Sequence, residues 1–210
     1  RLHARWWDAA PPASDVLPDT TIGRDRATRV QGALERVAAR ATEHHGLPKS
    51  MTVELPRLVA GYIQLLDRMA TPPVTVVHGD FRLDNLFFAA ATTDDAVEVA
   101  AIDWQFACRC RGTYDIGYFI GLDLAPALRR THEHDLLAGY VAGLHAHGVT
   151  GYEATDAWED YRHALLLAFA VFLIGASGEQ LNERMARVHE VGLTRLATAI
   201  EETGAFAVLD

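Results

Sequence analysis

The sequence predicts an α+β protein that is mainly helical and has a small set of short β-strands. Most of the chain carries apolar residues at helical spacing. Strand-like runs occur only between positions 74 and 102, as Val74–Val77, Leu86–Ala91 and Val97–Ile102. Short apolar runs bounded by turn residues are typical of buried strands. The 210 residues are enough for one substantial domain with its own core.

The helical segments follow in order along the chain. The spacing predicts a first helix over 24–42 and a second that ends at about Met69. A third begins after Gly112-Thr113, and two more cover 126–147 and 155–176. The last long helix includes Leu181 and Ile200. The second of these has two candidate starts, because Ser50 is a good N-cap and Pro56 suits a first helical position. Trp6 and Trp7 end a short helical segment near the start of the chain.

Composition limits the classes of function. Half of the residues are apolar and 22% are charged, which is typical of a soluble globular protein. The longest apolar stretch, Ala164–Ala176, is shorter than the roughly 20 residues of a membrane span. The net charge of −9 argues against nucleic acid as a partner. Together with the absence of a recognisable secretion signal, these features predict a cytoplasmic protein that binds neither membrane nor nucleic acid.

The two cysteines, Cys108 and Cys110, are separated by one residue. This spacing provides neither a disulfide framework nor a complete zinc site. It favours reduced thiols, with a metal or redox role as the alternative.

Each predicted strand has a hydrogen-bonding side chain next to one of its two ends. Asp80 follows the first strand, Asn85 precedes the second, and Asp103 follows the third. Oxygen-bearing side chains brought together by a small sheet indicate a site for a hard cation and for acid–base chemistry.

These residues also carry a family resemblance. Asp80 and Asn85 form D-x-x-x-x-N after His78-Gly79, which is the spacing of a kinase catalytic loop, and Ile102-Asp103-Trp104 stands where protein kinases have D-F-G. The segment Gly112–Tyr118 follows these motifs. The set resembles the aminoglycoside phosphotransferase and small-molecule kinase family, and most of all its choline- and ecdysteroid-kinase-like branch.

The resemblance implies a protein-kinase-like C-terminal lobe whose short strands carry the catalytic and metal loops. It implies transfer of the γ-phosphate of ATP, with Mg²⁺, to a hydroxyl of a small molecule such as an amino sugar or a choline-like alcohol. In that scheme Asp80 is the catalytic residue, and Asn85 and Asp103 are the metal ligands. The remaining implied roles are nucleotide binding by Arg82, Phe87 and Ile102, and structural support by His78 and Asp115.

The nucleotide-binding parts of a kinase N-terminal lobe are not recognisable in the sequence. No glycine-rich phosphate loop occurs, and the single lysine, Lys49, follows a proline in a loop-like context. We therefore expect residues 1–210 to be the C-terminal lobe of a longer kinase, with the N-terminal lobe as its missing partner. We also expect negligible kinase activity from these residues alone.

Several alternatives stay open at this point. A metal-dependent hydrolase could use His78, Asp80, Asp84 and Asp103. A kinase lobe retained only for binding is the other alternative. Asp84 contacts substrate or caps the loop, and Arg82 contacts phosphate or solvent. Arg109 and Arg111 contact phosphate or lie on a solvated loop.

Overall fold

The computed structural model describes residues 1–14, 17–19, 24–40, 47–89, 98–177 and 182–210. The described residues form seven α-helices: α1 (Leu2–Arg5), α2 (Arg24–Ala38), α3 (Lys49–Ala70), α4 (Thr113–Asp123), α5 (Pro126–His145), α6 (Ala154–Ala176) and α7 (Glu183–Thr203). They also form four three-residue strands: β1 (Thr75–Val77), β2 (Leu86–Phe88), β3 (Val99–Ala101) and β4 (Cys108–Cys110). The predicted mainly helical α+β class is confirmed. Within the described residues, no helix is both long enough and apolar enough to cross a membrane.

The core is built around α6. Its middle section is almost entirely apolar, so Leu165, Leu166 and Phe169 are fully buried. Helix α6 packs against α4 on one side and against α7 and α3 on others. Burial of apolar surface on several sides of one helix is the main stabilising contribution expected here. This bundle forms the base to which the strands and their loops are attached.

The strands form two separate antiparallel pairs. Strand β1 pairs with β4, with Thr75 opposite Cys110 and Val77 opposite Cys108. Strand β2 pairs with β3, with Leu86 opposite Ala101. The prediction of three strands missed β4. Three residues are too few to show a strand pattern, and β4 exists because β1 supplies its hydrogen-bonding partner.

The expectation that all strands are buried is correct only for the first pair. Val77 on β1 and Cys110 on β4 are both fully buried. In contrast, Phe87 and Phe88 on β2 are 61% and 54% exposed, and Val99 on β3 is 51% exposed. An apolar run identifies a strand without showing what covers its faces. Residues 90–97, which include the ends of both predicted runs and the turn between them, lie outside the described residues.

Helices α5 and α6 agree with their predicted bounds to within about two residues, and α4 begins at the predicted position. Helix α3 differs from both predicted starts: it begins at Lys49, after Pro48 as N-cap, and Pro56 lies inside it. Proline inside a helix removes a backbone hydrogen bond. Burial of Met51, Leu55 and other residues of the same face stabilises the helix across this position. Positions 41–46 and Leu181 lie outside the described residues.

The two cysteines are unpaired thiols in the structure. Both are buried on β4. Burial raises the pKa of Cys108 to about 12 and raises that of Cys110 well above its ordinary value. A thiol held in its neutral form is a poor nucleophile and a poor metal ligand.

Candidate functional site

The loop after β1 makes a sharp turn at Gly79. Gly79 has φ of +85°, a conformation that side chains disfavour. A Cβ atom at this position would lie 2.1 Å from the backbone oxygen of Phe106. Only glycine allows the two backbones to approach this closely, and the turn delivers Asp80 to the surface of the bundle.

Asp115, in the first turn of α4, holds this loop by its backbone. The Asp115 carboxylate accepts hydrogen bonds from the backbone N–H groups of His78, at 2.7 Å, and Gly79, at 3.0 Å. It also lies 3.3 Å from Nε2 of His3 on α1. Asp115 is 3% exposed. Hydrogen bonds to an ionised acceptor are about twice as strong as neutral ones, so the loop is firmly attached to α4.

His78 connects the two loops that carry the predicted site residues. Its Nε2 lies 2.7 Å from the backbone oxygen of Ile102, and its Nδ1 accepts from the backbone N–H of Asp80 at 3.3 Å. This pattern fits the neutral tautomer with the proton on Nε2. His78 therefore joins the residue before Asp103 to the backbone of Asp80.

Asp80 and Asn85 are in direct contact. The Asn85 amide nitrogen donates to both the backbone oxygen and the carboxylate of Asp80, each at 2.9 Å. A 3₁₀ turn over Leu83–Asn85 produces this contact, because it folds the chain back within five residues. Nε of Arg82 lies 3.4 Å from the same carboxylate.

Tyr118 lies near Asp80, and sequence reasoning did not identify it. Burial raises the pKa of the Tyr118 phenol well above its usual value, as does the nearby charge of Asp80. The available signal was its position three residues after Asp115, on the same side of α4.

Asp103 lies two residues after the end of β3 and has a left-handed backbone conformation, with φ 63° and ψ 61°. Strain of this kind at a residue other than glycine often marks a functional position. The preceding residue, Ile102, donates its backbone N–H to the oxygen of Asn85 at 3.0 Å. The β2–β3 ladder thus brings the backbones at Asn85 and Asp103 to the same end of the pair. The Asp103 carboxylate accepts from the side chain of Gln105 at 3.2 Å.

The residues predicted to contact nucleotide lie near this site. Phe87 is 61% exposed and Ile102 is 46% exposed. Strand register puts Phe87 opposite Ala100, and residues two apart on a strand share a face, so Phe87 and Ile102 fall on the same face of the pair. Arg82 lies between Asp80 and Asp84, with one nitrogen 3.9 Å from the Asp84 carboxylate.

Arg109 and Arg111 each pair with an acidic side chain. Arg111 is 5% exposed and pairs with the buried carboxylate of Asp160 at 2.8 Å. Arg109 pairs with Asp19 at 2.8 Å. The prediction of a solvated loop is wrong for Arg111, because its side chain is buried against Asp160.

A cavity of about 300 Å³ borders the two loops. Its lining includes His78, Phe81, Trp104, Asp115 and Tyr140. Asp80, Asn85 and Asp103 do not line it. The cavity therefore lies beside the chain neighbours of these three residues and does not include their side chains.

In the part of the chain that the structure describes, no group of three or more His, Cys, Asp or Glu side chains is arranged to hold a metal ion. The pair Asn85 and Asp103 would need ligands from outside the protein to complete a coordination sphere.

Comparison with known proteins places the chain in a family. A comparison with curated proteins gave no significant match. The sequence model of the ecdysteroid kinase-like family matches residues 22–149, which include both loops and Asp115. The match spans more than half of the chain, and it agrees with the resemblance drawn from the motifs. The chain belongs to the ecdysteroid kinase-like family.

Proposed function

We propose that the chain is the C-terminal, catalytic lobe of an ATP- and Mg²⁺-dependent kinase that phosphorylates a hydroxyl of a small molecule. Membership of a kinase-like family supports phosphoryl transfer as the class of reaction. The observation that carries the proposal is the Asp80 carboxylate, which accepts a hydrogen bond from the side chain of Asn85 and lies in a loop attached to α4. Positioning and charge neutralisation are the main demands of phosphoryl transfer.

Asp80 is the catalytic residue in this proposal. The acceptor oxygen attacks the γ-phosphorus, the bond from that phosphorus to the β–γ bridging oxygen breaks, and ADP leaves. The acceptor proton passes to the Asp80 carboxylate and then to solvent. The hydrogen bond from Asn85 fixes one carboxylate oxygen, so the carboxylate has a defined orientation toward the acceptor.

Asn85 and Asp103 are suited to hold Mg²⁺. The amide nitrogen of Asn85 is committed to Asp80, so the atom that the side chain offers to a cation is its oxygen. Mg²⁺ is usually held by one or two protein oxygens together with phosphate and water. When bound, the ion neutralises charge on the transferred phosphate.

Arg82, Phe87 and Ile102 form the proposed nucleotide contacts. The apolar face that carries Phe87 and Ile102 is exposed, which suits an adenine ring. Arg82 supplies positive charge beside Asp80 in a chain of net charge −9. His78 and Asp115 are proposed as structural support, since both contact the loop through its backbone.

We place the strand lysine and the phosphate-covering loop of a complete kinase in a further, N-terminal lobe of the same protein. Residues 1–210 alone then bind nucleotide weakly and transfer phosphate negligibly. The acceptor is proposed as an alcohol of the aminoglycoside or choline type, because the acidic chain favours a cationic substrate.

The test compares residues 1–210 with the longest natural form of the protein that contains them. Each is incubated with Mg-ATP and a panel of amino sugars and choline-like alcohols, and phosphorylated product is detected by mass spectrometry. We expect product from the longer form only, and we expect Asp80→Asn to abolish it. Asp135→Asn, at an exposed position on α5, is the matched control.

Other results would point to the alternatives. Phosphate release at the same rate without any acceptor would favour a hydrolase, and nucleotide binding without turnover would favour a binding module. Full activity of the Asp80→Asn variant would contradict the proposed role of Asp80.

A further inference from the structure

Three side chains on one side of α4 face the catalytic loop at successive points. Asp115 accepts from the backbone before Asp80, Tyr118 lies near the Asp80 carboxylate, and Asp123 accepts from the backbone after it. At 100° per residue, positions three and eight after Asp115 fall within about 140° on the helix surface. One helix can therefore set the loop at three positions.

Asp123 ends α4, and its place there is unusual. A carboxylate at a helix C-terminus opposes the helix dipole, and this one is also half-buried. Its Oδ2 accepts the backbone N–H of Leu83 at 2.8 Å. The charged groups that face it are Arg82 and Asp84 from the loop and Arg195 from α7.

Arg195 stabilises this end of the helix. Its Nη1 donates to the backbone oxygens of Leu122, at 2.8 Å, and Asp123, at 2.9 Å. The guanidinium thus satisfies terminal carbonyls of α4 and supplies a positive charge near the Asp123 carboxylate. Asp123 is unfavourable at this end of the helix, so its presence there needs an explanation other than the stability of α4.

The contact with Leu83 supplies that reason. Leu83 begins the 3₁₀ turn that ends at Asn85. Holding the first residue of this short turn fixes where the Asn85 side chain meets Asp80, since the turn leaves few free backbone torsions.

Tyr118 approaches Asp80 from within the core. It is 3% exposed, and its ring packs against Tyr114 and Phe172, with centroid distances of 5.7 and 5.9 Å. A phenol held by packing on α4 and α6 has little rotational freedom. Its hydroxyl therefore keeps a fixed position near the Asp80 carboxylate.

We propose that Tyr118 and Asp123 are positioning residues that act through α4 to set the orientation of Asp80 and Asn85. The kinetic part of this inference rests on the proposed kinase function. Neither residue needs to touch the nucleotide or the acceptor.

Amide exchange in the full chain tests Asp123 without any activity assay. In Asp123→Ala, we expect the Leu83 amide to exchange with deuterium about tenfold faster or more, because its charged acceptor is gone. Asp123→Asn keeps an acceptor oxygen and should restore part of the protection. Asp135→Ala is the control. Unchanged exchange at Leu83 in Asp123→Ala would overturn the role of Asp123.

The side-chain amide of Asn85 reports on Tyr118. In Tyr118→Phe, the ¹H–¹⁵N signals of the Asn85 amide should shift, because the carboxylate that accepts from this amide loses a neighbouring hydroxyl. Tyr62→Phe removes the hydroxyl of another buried tyrosine, on α3, and should leave these signals unchanged. Identical Asn85 signals in Tyr118→Phe and in the unsubstituted chain would overturn the role of Tyr118.

Kinetics extend the test to the catalytic form. Tyr118→Phe and Asp123→Ala should each lower kcat about 10- to 100-fold, as substitutions behind a catalytic group commonly do, with KM for Mg-ATP unchanged. An unchanged kcat in both would refute positioning for catalysis. If no form transfers phosphate, the proposed function fails, and the exchange and amide signals still decide whether α4 positions the loop.

Discussion

Replacement of Asp115 by asparagine tests the attachment of the catalytic loop most directly. The substitution keeps the shape of the side chain and removes its charge. In the structure the carboxylate accepts two backbone N–H groups, from His78 and Gly79. The asparagine amide has one oxygen and therefore can accept only one of them with full strength. Its NH₂ group then faces the other N–H, donor against donor.

The expected loss of stability follows from these two contacts. A buried N–H left without an acceptor costs about 1–3 kcal/mol, and weakening the retained bond from charged to neutral costs about 1 kcal/mol more. We therefore expect Asp115→Asn to lower the free energy of unfolding by about 2–4 kcal/mol. With a urea m value of about 2–3 kcal/mol/M, the midpoint falls by about 1 M.

Urea denaturation followed by circular dichroism measures this change. Asp135→Asn is the matched control, since exposed substitutions usually stay within about 0.5 kcal/mol. A loss below about 1 kcal/mol in Asp115→Asn, with the control unchanged, would show that the loop is held by other contacts. The reasoning about the role of α4 would then be wrong.

Three further predictions concern other contacts. Gly79→Ala should destabilise the chain by about 2 kcal/mol or more in the same assay. The reason is that the new Cβ atom would sit on a left-handed backbone and overlap the backbone of Phe106. Gly139→Ala is the control, because a Cβ atom there would lie in open space. Asp160→Asn should cost about 3–5 kcal/mol, because it leaves the Arg111 guanidinium buried without its counter-charge; a loss under 1 kcal/mol would contradict this. Burial raises the pKa of Asp123 to about 6 from 3.8, so its contribution to stability is fullest below about pH 4 and is lost as pH rises through 6. After allowance for its partial exposure, the stability of the unsubstituted chain relative to Asp123→Asn should fall by about 1–2 kcal/mol between pH 4 and 7, and a constant difference would refute the shift.

The features that sequence predicts well here are local ones. The contact between Asp80 and Asn85 is formed within one short loop, so the spacing of the two residues carries the information. The long helices are also predictable, because each extends over several turns of apolar periodicity. The family match over residues 22–149 agrees with the resemblance that these local motifs carry.

The features that sequence did not predict depend on distant partners. Leu83 and Asp123 are 40 residues apart, and Arg111 and Asp160 are 49 apart. No periodicity reports which acidic side chain will meet a given amide or guanidinium. The exposure of β2 and β3 was missed for a similar reason, since an apolar strand looks the same whether a helix covers it or not.

The hydrogen bonds between β1 and the first residues of the chain bear on how far the chain can be shortened and still fold. The side chain of Asp8 accepts the backbone N–H of Val74, and the hydroxyl of Thr75 donates to the backbone oxygen of His3, across 66 and 72 residues. Asp8 and His3 lie before residue 22, where the family match begins. Helices α6 and α7 lie after residue 149, where the match ends. A segment trimmed to the matched region would keep every motif residue and lose much of what holds them in place. The family match therefore covers the motif residues but not all of the segments that hold them in place.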